Sequence, residues 1–515
     1  MGRFFGQRAS GIGQRLAFLL ALFATSLTAD PYTIGSITVR DVFVDPVAGN
    51  DSNDGNARAT ALRTLTAAWN RIPQSSTLTS TGYRIQLMAG THPRASVPNY
   101  FESRYGTAQF PIIIQSADAS RSAHVLGDFN VFDTRYLYLI GLDLTPDPPG
   151  DVVHCEKCDH LLIRDCHLSG GARQAQETLK VNQSQNVYVE SSTIHGAYDN
   201  NIDFVSVQYG HIIDNQISDA EDWCVYTKGG SAYFRVEGND ISQCGTGGFT
   251  AGQGTGFQFM TPPWIHYEAY DIKVLHNVIH DTQGAGLGVN GGYDILLAHN
   301  TLYRIGSRSH LLEVVYGARS CDGQPGDPTR QRCTDYLALG GWGTTVVDDG
   351  TNYTRIPNRN VYVYNNLIYN PPGFTSPQHF TVAAPLEQTS PPAIADTNLR
   401  IRGNVIFNGD VETPLGVSDD TGCDASNPTC NDVQLRADNT INTLQPQVAS
   451  DLHPIPGSNL FSVTPIVIPD FAWSDAPTGT PTGSISNAGL TSSVVGAFGG
   501  TTTPTSNPRR RTVRH

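Results

Sequence analysis

NVYVESSTIH (186–195), HIIDNQIS (211–218) and YFRVEGNDIS (233–242) follow one another along the chain on one plan. Each alternates apolar and polar residues, passes a small or Asn position, and returns to Ile two residues later. Working outward, the plan recurs in HLLIRDCHLS (160–169), DIKVLHNVIH (271–280), DILLAHNTLY (294–303), NVYVYNNLIY (360–369) and LRIRGNVIF (399–407). The aligned position is Cys166, Ser192, Asn215, Asn239, Asn277, Asn300, Asn366 and Asn404, with Leu142 of YLYLIGLDL (136–144) one step earlier. The uninterrupted spacings are 24, 26, 23, 24 and 23 residues. Period-two alternation marks half-buried strands, and a repeat of this length marks a solenoid coil. The expected fold is therefore all-β, a single right-handed parallel β-helix of three-stranded coils stacked about 4.8 Å apart. Leucine-rich repeats are the alternative, but their L-x-x-L-x-L frame and helical half are missing. At a sharp turn Asn tolerates left-handed backbone and can pair its amide with the next coil's backbone.

Composition agrees. The chain has 515 residues, 39% hydrophobic and 16% charged, with 51 Gly, 31 Pro and 3 Met. Such a chain lacks the Glu, Lys and Leu that a bundle or coiled coil needs. The net charge of -14 excludes a generally basic, nucleic-acid-coating protein. Arg3, Arg8 and Arg15 precede the apolar run LAFLLALFATSL (16–27), so residues 1–29 are expected to be a signal peptide. No later segment is apolar enough to span a bilayer, and the expected product is an exported, monomeric protein, extracellular or periplasmic.

The chain divides, on this reading, into a β-helix domain with its N-terminal cap over 30–410, a closing segment over 411–500 and a disordered tail over 501–515. The cap includes a short amphipathic helix from Arg63 to Ile72, covering the open first coil. Of nine cysteines, Cys321 with Cys333 and Cys423 with Cys430 flank loops and are expected to pair. Cys155 and Cys158 form a C-x-x-C without zinc-finger partners, while Cys166, Cys224 and Cys244 read as buried thiols.

A site on such a rod is built from outward side chains of neighbouring coils. The strands preceding each repeat are ETLKVNQS (177–184), NIDFVSVQ (201–208), DWCVYTKGGS (222–231), GGFTAGQG (247–254), AGLGVNGG (285–292) and SHLLEVVYG (309–317). Alternation places Lys180, Asp203 and Asn290 outward; for the Lys228 strand it allows either Val225 and Thr227 or Cys224 and Tyr226 inward, and the cost of an unpaired buried lysine puts Lys228 outside. Strict alternation puts His310 and Glu313 on opposite sides of their strand, which argues against a shared metal. Glu313 and Asn290 read as equivalent positions on adjacent coils.

The opening VDPVAGNDSNDGNARATALRTLTAAWNRIP (44–73) and the closing VVGAFG resemble those of secreted, pectate-lyase-like β-helix proteins. The segment AEDWCVYTKGGSAYFRVEGN (220–239) resembles the catalytic coil of the chondroitinase-B-like and alginate-degrading polysaccharide lyases. That resemblance implies a Brønsted base at Lys228 and Ca²⁺ held by Glu221, with Asp222 adjacent and Asp203 one coil earlier. The arginine of that family has no counterpart near Gly252 and Gln253. The implied reaction is β-elimination on a uronic-acid polysaccharide: a base takes the C5 proton once the carboxylate is neutralised. Tyr267 and His266, in the insertion GFQFMTPPWIHYEAY (256–270), are candidate acids, and Trp264 and Trp342 candidate sugar platforms. Arg308, His310, Glu313, Arg319, Gln253 and Asn290 complete the expected substrate contacts. The rival readings are a glycoside hydrolase or uronate epimerase on the same fold, with Asp199, Asp203, Asp219 and Asp222 as its carboxylates, and a non-catalytic carbohydrate-binding protein.

Overall fold

The computed structural model describes residues 30–262, 265–320, 355–383, 398–417, 432–471 and 492–499, together with Asp335, Ala338, Asn487 and Leu490. Parallel strands stack coil upon coil into a β-helix with three faces. The first face includes Trp223–Lys228, Gly247–Gly252, Ala285–Asn290 and His310–Val315. The second includes Ser231–Glu237, Ala269–Leu275 and Gly292–Ala298. The third includes Thr193–Ala197, Gln216–Ala220 and Asp240–Cys244. In Leu179–Glu190 and Ile202–Ile213 one long strand runs through the first and second faces.

Like residues stack on like inside the rod, which is why the repeat exists. On the first face Leu179, Ile202, Val225, Phe249, Leu287, Leu312 and Phe380 are register partners, and all lie in the core. On the third, Leu168, Ile194, Ile217, Ile241, Ile279, Leu302, Ile368 and Ile406 do the same. These are the Ile and Leu positions that follow the recurring Asn.

The Asn column is present as read. The backbone N–H of Asn215 donates to Asn239 Oδ1, that of Asn239 to Asn277 Oδ1, and that of Asn277 to Asn300 Oδ1, each at 3.0 Å. The chain of bonds continues through Asn366 and Asn404 to Asn439. The repeat thus passes beyond the point where its sequence pattern fades, because the helix Asp432–Asp438 is inserted before the last ladder residue. The expected left-handed backbone belongs to the residue before each ladder position: Asp165, Ser191, Asp214, Gly238, His276, His299, Asn365 and Gly403. The Asn itself works through its side chain, satisfying backbone groups that a sharp corner leaves unpaired.

The capping helix is shorter than expected, Leu65–Trp69, with Thr64 accepting from the Ala67 N–H. It buries Leu65, Ala68 and Trp69 on the first coil. That coil starts at the strand Val39–Val44, well before the first legible repeat, and pairs with Gly82–Leu87.

Cysteine pairing differs from the sequence reading. Cys224 and Cys244 are disulfide-bonded, with their sulfurs 2.09 Å apart. Cys224 lies in the strand that opens the coil and Cys244 ends its third-face strand, both facing the core, so the bridge ties one coil across its corner. Cys155 bonds Cys158, and Cys166 is a free buried thiol. Residues 1–29 and 501–515, Cys321, Cys333, Cys423 and Cys430 lie outside the described residues. Among those described, no helix is long and apolar enough to cross a membrane.

Candidate active site on the first face

One outward row of the first face runs His154, Lys180, Asp203, Tyr226, Thr250, Gly288 and Glu313, register partners on successive coils. At its centre Asp203 is shared by two lysines. Lys180 Nζ lies 3.5 Å from Asp203 Oδ2, and Lys228 Nζ lies 3.7 Å from Oδ1. Lys180 Nζ is also 3.6 Å from Glu177 Oε1. The lysine side chains keep 23% and 18% of their surface while both carboxylates keep 3%, so cations face the solvent and acids lie behind them.

The electrostatics follow from that layering. Burial, reinforced by the Asp203 charge, pushes the Glu177 carboxyl up to about 8. Burial opposes the charge on Lys180, but Asp203 and Glu177 outweigh it and hold the ammonium above its ordinary value. Burial holds His154 below its ordinary value against the pull of Asp151, and Lys180 adds to the effect.

Lys228 is outward, as expected, and its Nζ sits 4.1 Å from the centre of the Tyr226 ring. The Tyr226 hydroxyl is buried and makes no hydrogen bond among the described residues. Burial, with Asp203 and Asp222 nearby, raises it well above the ordinary tyrosine value, so it keeps its proton. Trp223 shares this face because Cys224 and Val225 both turn into the core, which brings residues i and i+3 to the same side. Its indole lies across Gly247 and Gly288, and a Cβ at Gly288 would stand 2.9 Å from Trp223 Cη2 and 3.0 Å from Glu313 Cγ. A side chain at that glycine would displace the ring.

The same corner geometry corrects the reading of His310 and Glu313. Leu311 and Leu312 are both buried, so the two residues meet, with His310 Nε2 and Glu313 Oε2 3.0 Å apart. Glu313 is in register with Gly288, and Val315 is the partner of Asn290. Asn290 faces the site, its Oδ1 accepting from Thr250 Oγ1 at 2.9 Å. Gln253 is exposed beside it, and Arg308 is exposed at the opposite end of the face, where its backbone N–H donates to the Gln283 carbonyl.

Three expected contacts are structural instead. Arg319 is fully buried in an ion pair with Glu268, and its guanidinium donates to the carbonyls of His266 and Tyr267. Tyr267 packs among Tyr233, Ile265, Tyr270, Tyr293 and Ile356, and His266 is buried against Phe257. Both side chains are buried, His266 at 6% and Tyr267 at 3% exposure, so neither is presented on the open face. Their loop serves the site indirectly, since Glu268 Oε2 accepts from the Gly229 N–H and from Thr255 Oγ1. Gly229 has φ 66°, a left-handed turn directly after Lys228. Trp264 and Trp342 lie outside the described residues.

Of the acids expected to hold Ca²⁺, Asp203 and Asp222 both lie near enough to Asp199 to raise its carboxyl, after burial, but Glu221 stands apart from them. Glu221 is half-exposed and paired with Arg173 at 3.1 Å, while Asp203 faces two ammonium groups. Among the described residues no three His, Cys, Asp or Glu side chains gather as metal ligands. A hard dication needs several carboxylate or carbonyl oxygens around one point, and this set does not fit it. Glu177, Trp223, Tyr226 and His154 were missed from sequence. The signal for the two aromatics was present in W-C-V-Y, where two core residues in succession break the alternation.

The profile of a family described as a right handed beta helix region matches residues 151–320. A lacto-N-biosidase from Eubacterium ramulus is 11% identical, over 78% of this chain and 68% of its own, with a TM-score of 0.43. A pectate lyase is 14% identical, over 90% of this chain and 98% of its own, with a TM-score of 0.36. A PL6 family polysaccharide lyase from Pseudopedobacter saltans is 13% identical, over 75% and 93%, with a TM-score of 0.38. No curated protein matches. The stacked coils and the matched profile define the class: this is a right-handed parallel β-helix protein. The similar solved structures are mostly carbohydrate-active enzymes, with lyases and a hydrolase among them.

Proposed function

We propose that the protein is an exported polysaccharide lyase that cleaves a uronic-acid-containing chain by β-elimination on its first face. The observation that carries this reading is the lysine pair: Lys180 and Lys228 share Asp203 and present their ammonium groups outward, ahead of buried acids. Accessible cations suit a polymer carboxylate, which they bind and neutralise. Lys180 and His154 then hold the carboxylate, and Lys228 takes the C5 proton. A lysine base must react as the free amine. As the C5–H bond yields its electrons to the C4–C5 double bond, the C4–O bond breaks. The departing oxygen takes its proton from solvent water, which the half-open lysine pair admits. Asn290 hydrogen-bonds the neighbouring sugar ring.

A second reading rests on a separate observation. Glu177 and Asp203 are two buried carboxyl groups within reach of the same Lys180, one held protonated and one paired with lysines. That is the division between acid and base that glycoside hydrolysis uses. The test is incubation with a panel of uronate polymers. New near-ultraviolet absorbance from an unsaturated product supports elimination. Reducing ends released without absorbance overturn it in favour of hydrolysis.

A further inference from the structure

The first face is open on one side of the lysine pair. Toward the C-terminal coils its outward row sinks, with Tyr226 and Thr250 each 1% exposed. Toward the N-terminal coils the row continues through Lys180, His154 and Asn130, all partly exposed. Among the described residues four aromatic side chains stand out into solvent: Tyr100, Tyr198, Phe259 and Phe461. The first three border this open half. Tyr198 follows the third-face strand Thr193–Ala197 and precedes the Asp203 strand, at the corner where the coil enters the first face. Phe259 lies at the opposite edge, on a loop that runs back along the corner ending that face. There Met260 packs by Gly230, the Thr261 N–H donates to Ser206 Oγ, and Gln183 Nε2 donates to the carbonyls of Gln258 and Met260. These contacts reach the coils of Lys228, Asp203 and Lys180 in turn, so the loop is held in place before any ligand arrives. Tyr100 directly precedes Phe101, the register partner of Val131, and so stands at the level of Asn130, prolonging the outward row. From Asp203 to Tyr100 is four coils, about 19 Å at about 4.8 Å per coil. Between them Lys157 projects an exposed ammonium at the edge of the His154 coil, loosely paired with Glu156.

We propose that the N-terminal half of the first face is an extended platform for an acidic polysaccharide lying along the rod axis from Lys228 toward Tyr100. Tyr198 and Phe259 hold the sugars beside the lysine pair from the two edges of the face, and Tyr100 holds a sugar at the far end. Tyr and Phe offer rigid apolar ring faces with few rotamers to freeze, which suits stacking on the C–H face of a pyranose. The coil repeat is close to the rise of one sugar in an extended chain, so successive sugars meet successive coils. Lys157, Lys180 and Lys228 set positive charge along the same line, complementary to a chain of carboxylates. The position of the broken bond over Lys228 rests on the elimination reading; the platform itself does not. Its consequence is a preference for long chains, since a short one cannot touch Tyr100 and the lysine pair together.

The test is affinity electrophoresis of the full chain through gels holding polygalacturonate, alginate or a glucuronate polymer. Calorimetric titration in the cold follows, with a trisaccharide and a decasaccharide of the polymer that retards the protein most. Tyr198→Ala and Phe259→Ala should each weaken binding of both oligosaccharides about two- to tenfold, the scale of one aromatic contact. Tyr100→Ala should weaken the decasaccharide by a similar factor and leave the trisaccharide unchanged. Lys157→Ala should weaken binding at low salt and less at high salt, as a lost surface charge does. Phe461→Ala, whose neighbour Leu460 packs on Leu367 and Val405 of the third face, should change nothing. Thermal melts should stay at the wild-type value throughout, since exposed rings add little to stability. Retardation by no polymer, equal wild-type affinity for both lengths, or undiminished affinity in both Tyr198→Ala and Phe259→Ala overturns the proposal. Binding that changes in the expected pattern without new near-ultraviolet absorbance keeps the platform and removes elimination. Absorbance with unchanged binding in the variants does the reverse.

Discussion

Lys228 Nζ stands 3.7 Å from Asp203 Oδ1 on the preceding coil and 4.1 Å from the centre of the Tyr226 ring on its own strand. This pairing makes Lys228 the group on which the elimination reading stands. Lys228→Ala should keep the fold, since a surface lysine adds little to stability. It should cut turnover by at least ~10²-fold, the scale of a positioned base. Lys228→Arg should not restore it, because guanidinium stays protonated at any working pH. Steady-state rates on both variants, with thermal melts alongside, decide this. Near-normal turnover in folded Lys228→Ala would remove the base assignment.

The buried pair Arg319–Glu268 should act on both stability and turnover. Glu268→Ala leaves Arg319 uncompensated in the interior, and breaking such a pair costs roughly 3–5 kcal/mol. It also frees the Gly229 N–H, and with it the turn that follows Lys228. A paired Arg319→Met, Glu268→Leu variant should recover most of the stability, because no isolated charge remains. It should not recover turnover, because the Gly229 contact is still lost. Denaturant unfolding separates the two effects, and full activity in the double variant would show that the turn is set elsewhere.

The rod was legible because its core repeats. Each Asn of the ladder precedes an inward Ile or Leu by two residues, and both positions are fixed by stacking on the coils above and below. The site was legible where alternation is strict, as at Lys180, and at Lys228 through the cost of burying an unpaired charge. At the corner that opens each first-face strand, two residues turn inward together, as Cys224–Val225 and Leu311–Leu312 do. That break hid Trp223, Tyr226 and the His310–Glu313 contact. The Arg319–Glu268 pair joins residues far apart in sequence, and no local pattern announces it.

Chelation should leave polysaccharide cleavage unchanged. Glu221 is engaged by Arg173 and Asp203 by two lysines, so no cage of oxygens is offered to Ca²⁺. Rates before and after exhaustive treatment with a calcium chelator are the measurement. Loss of activity that added Ca²⁺ restores would return the metal to the reaction and require Asp203 to leave its lysines.

Glu177 should make stability fall with rising pH. Burial, reinforced by Asp203, lifts its folded value to about 8 from an ordinary 4.5. Between those values the unfolded chain has released the proton that the folded chain still holds. The unfolded state then binds fewer protons, so stability declines with pH. The contribution is complete below the unfolded value and lost as pH rises through the folded one. Glu177→Gln removes the titration while keeping a side-chain oxygen to accept the Asn200 N–H, which bonds Glu177 Oε2 at 2.8 Å. The wild-type melting temperature should therefore drop relative to that of Glu177→Gln as pH increases across this window. A constant difference between the two proteins would show that Glu177 ionises normally when folded. The same variant separates the two chemistries: hydrolysis needs the Glu177 proton and should be abolished, whereas elimination at Lys228 should persist.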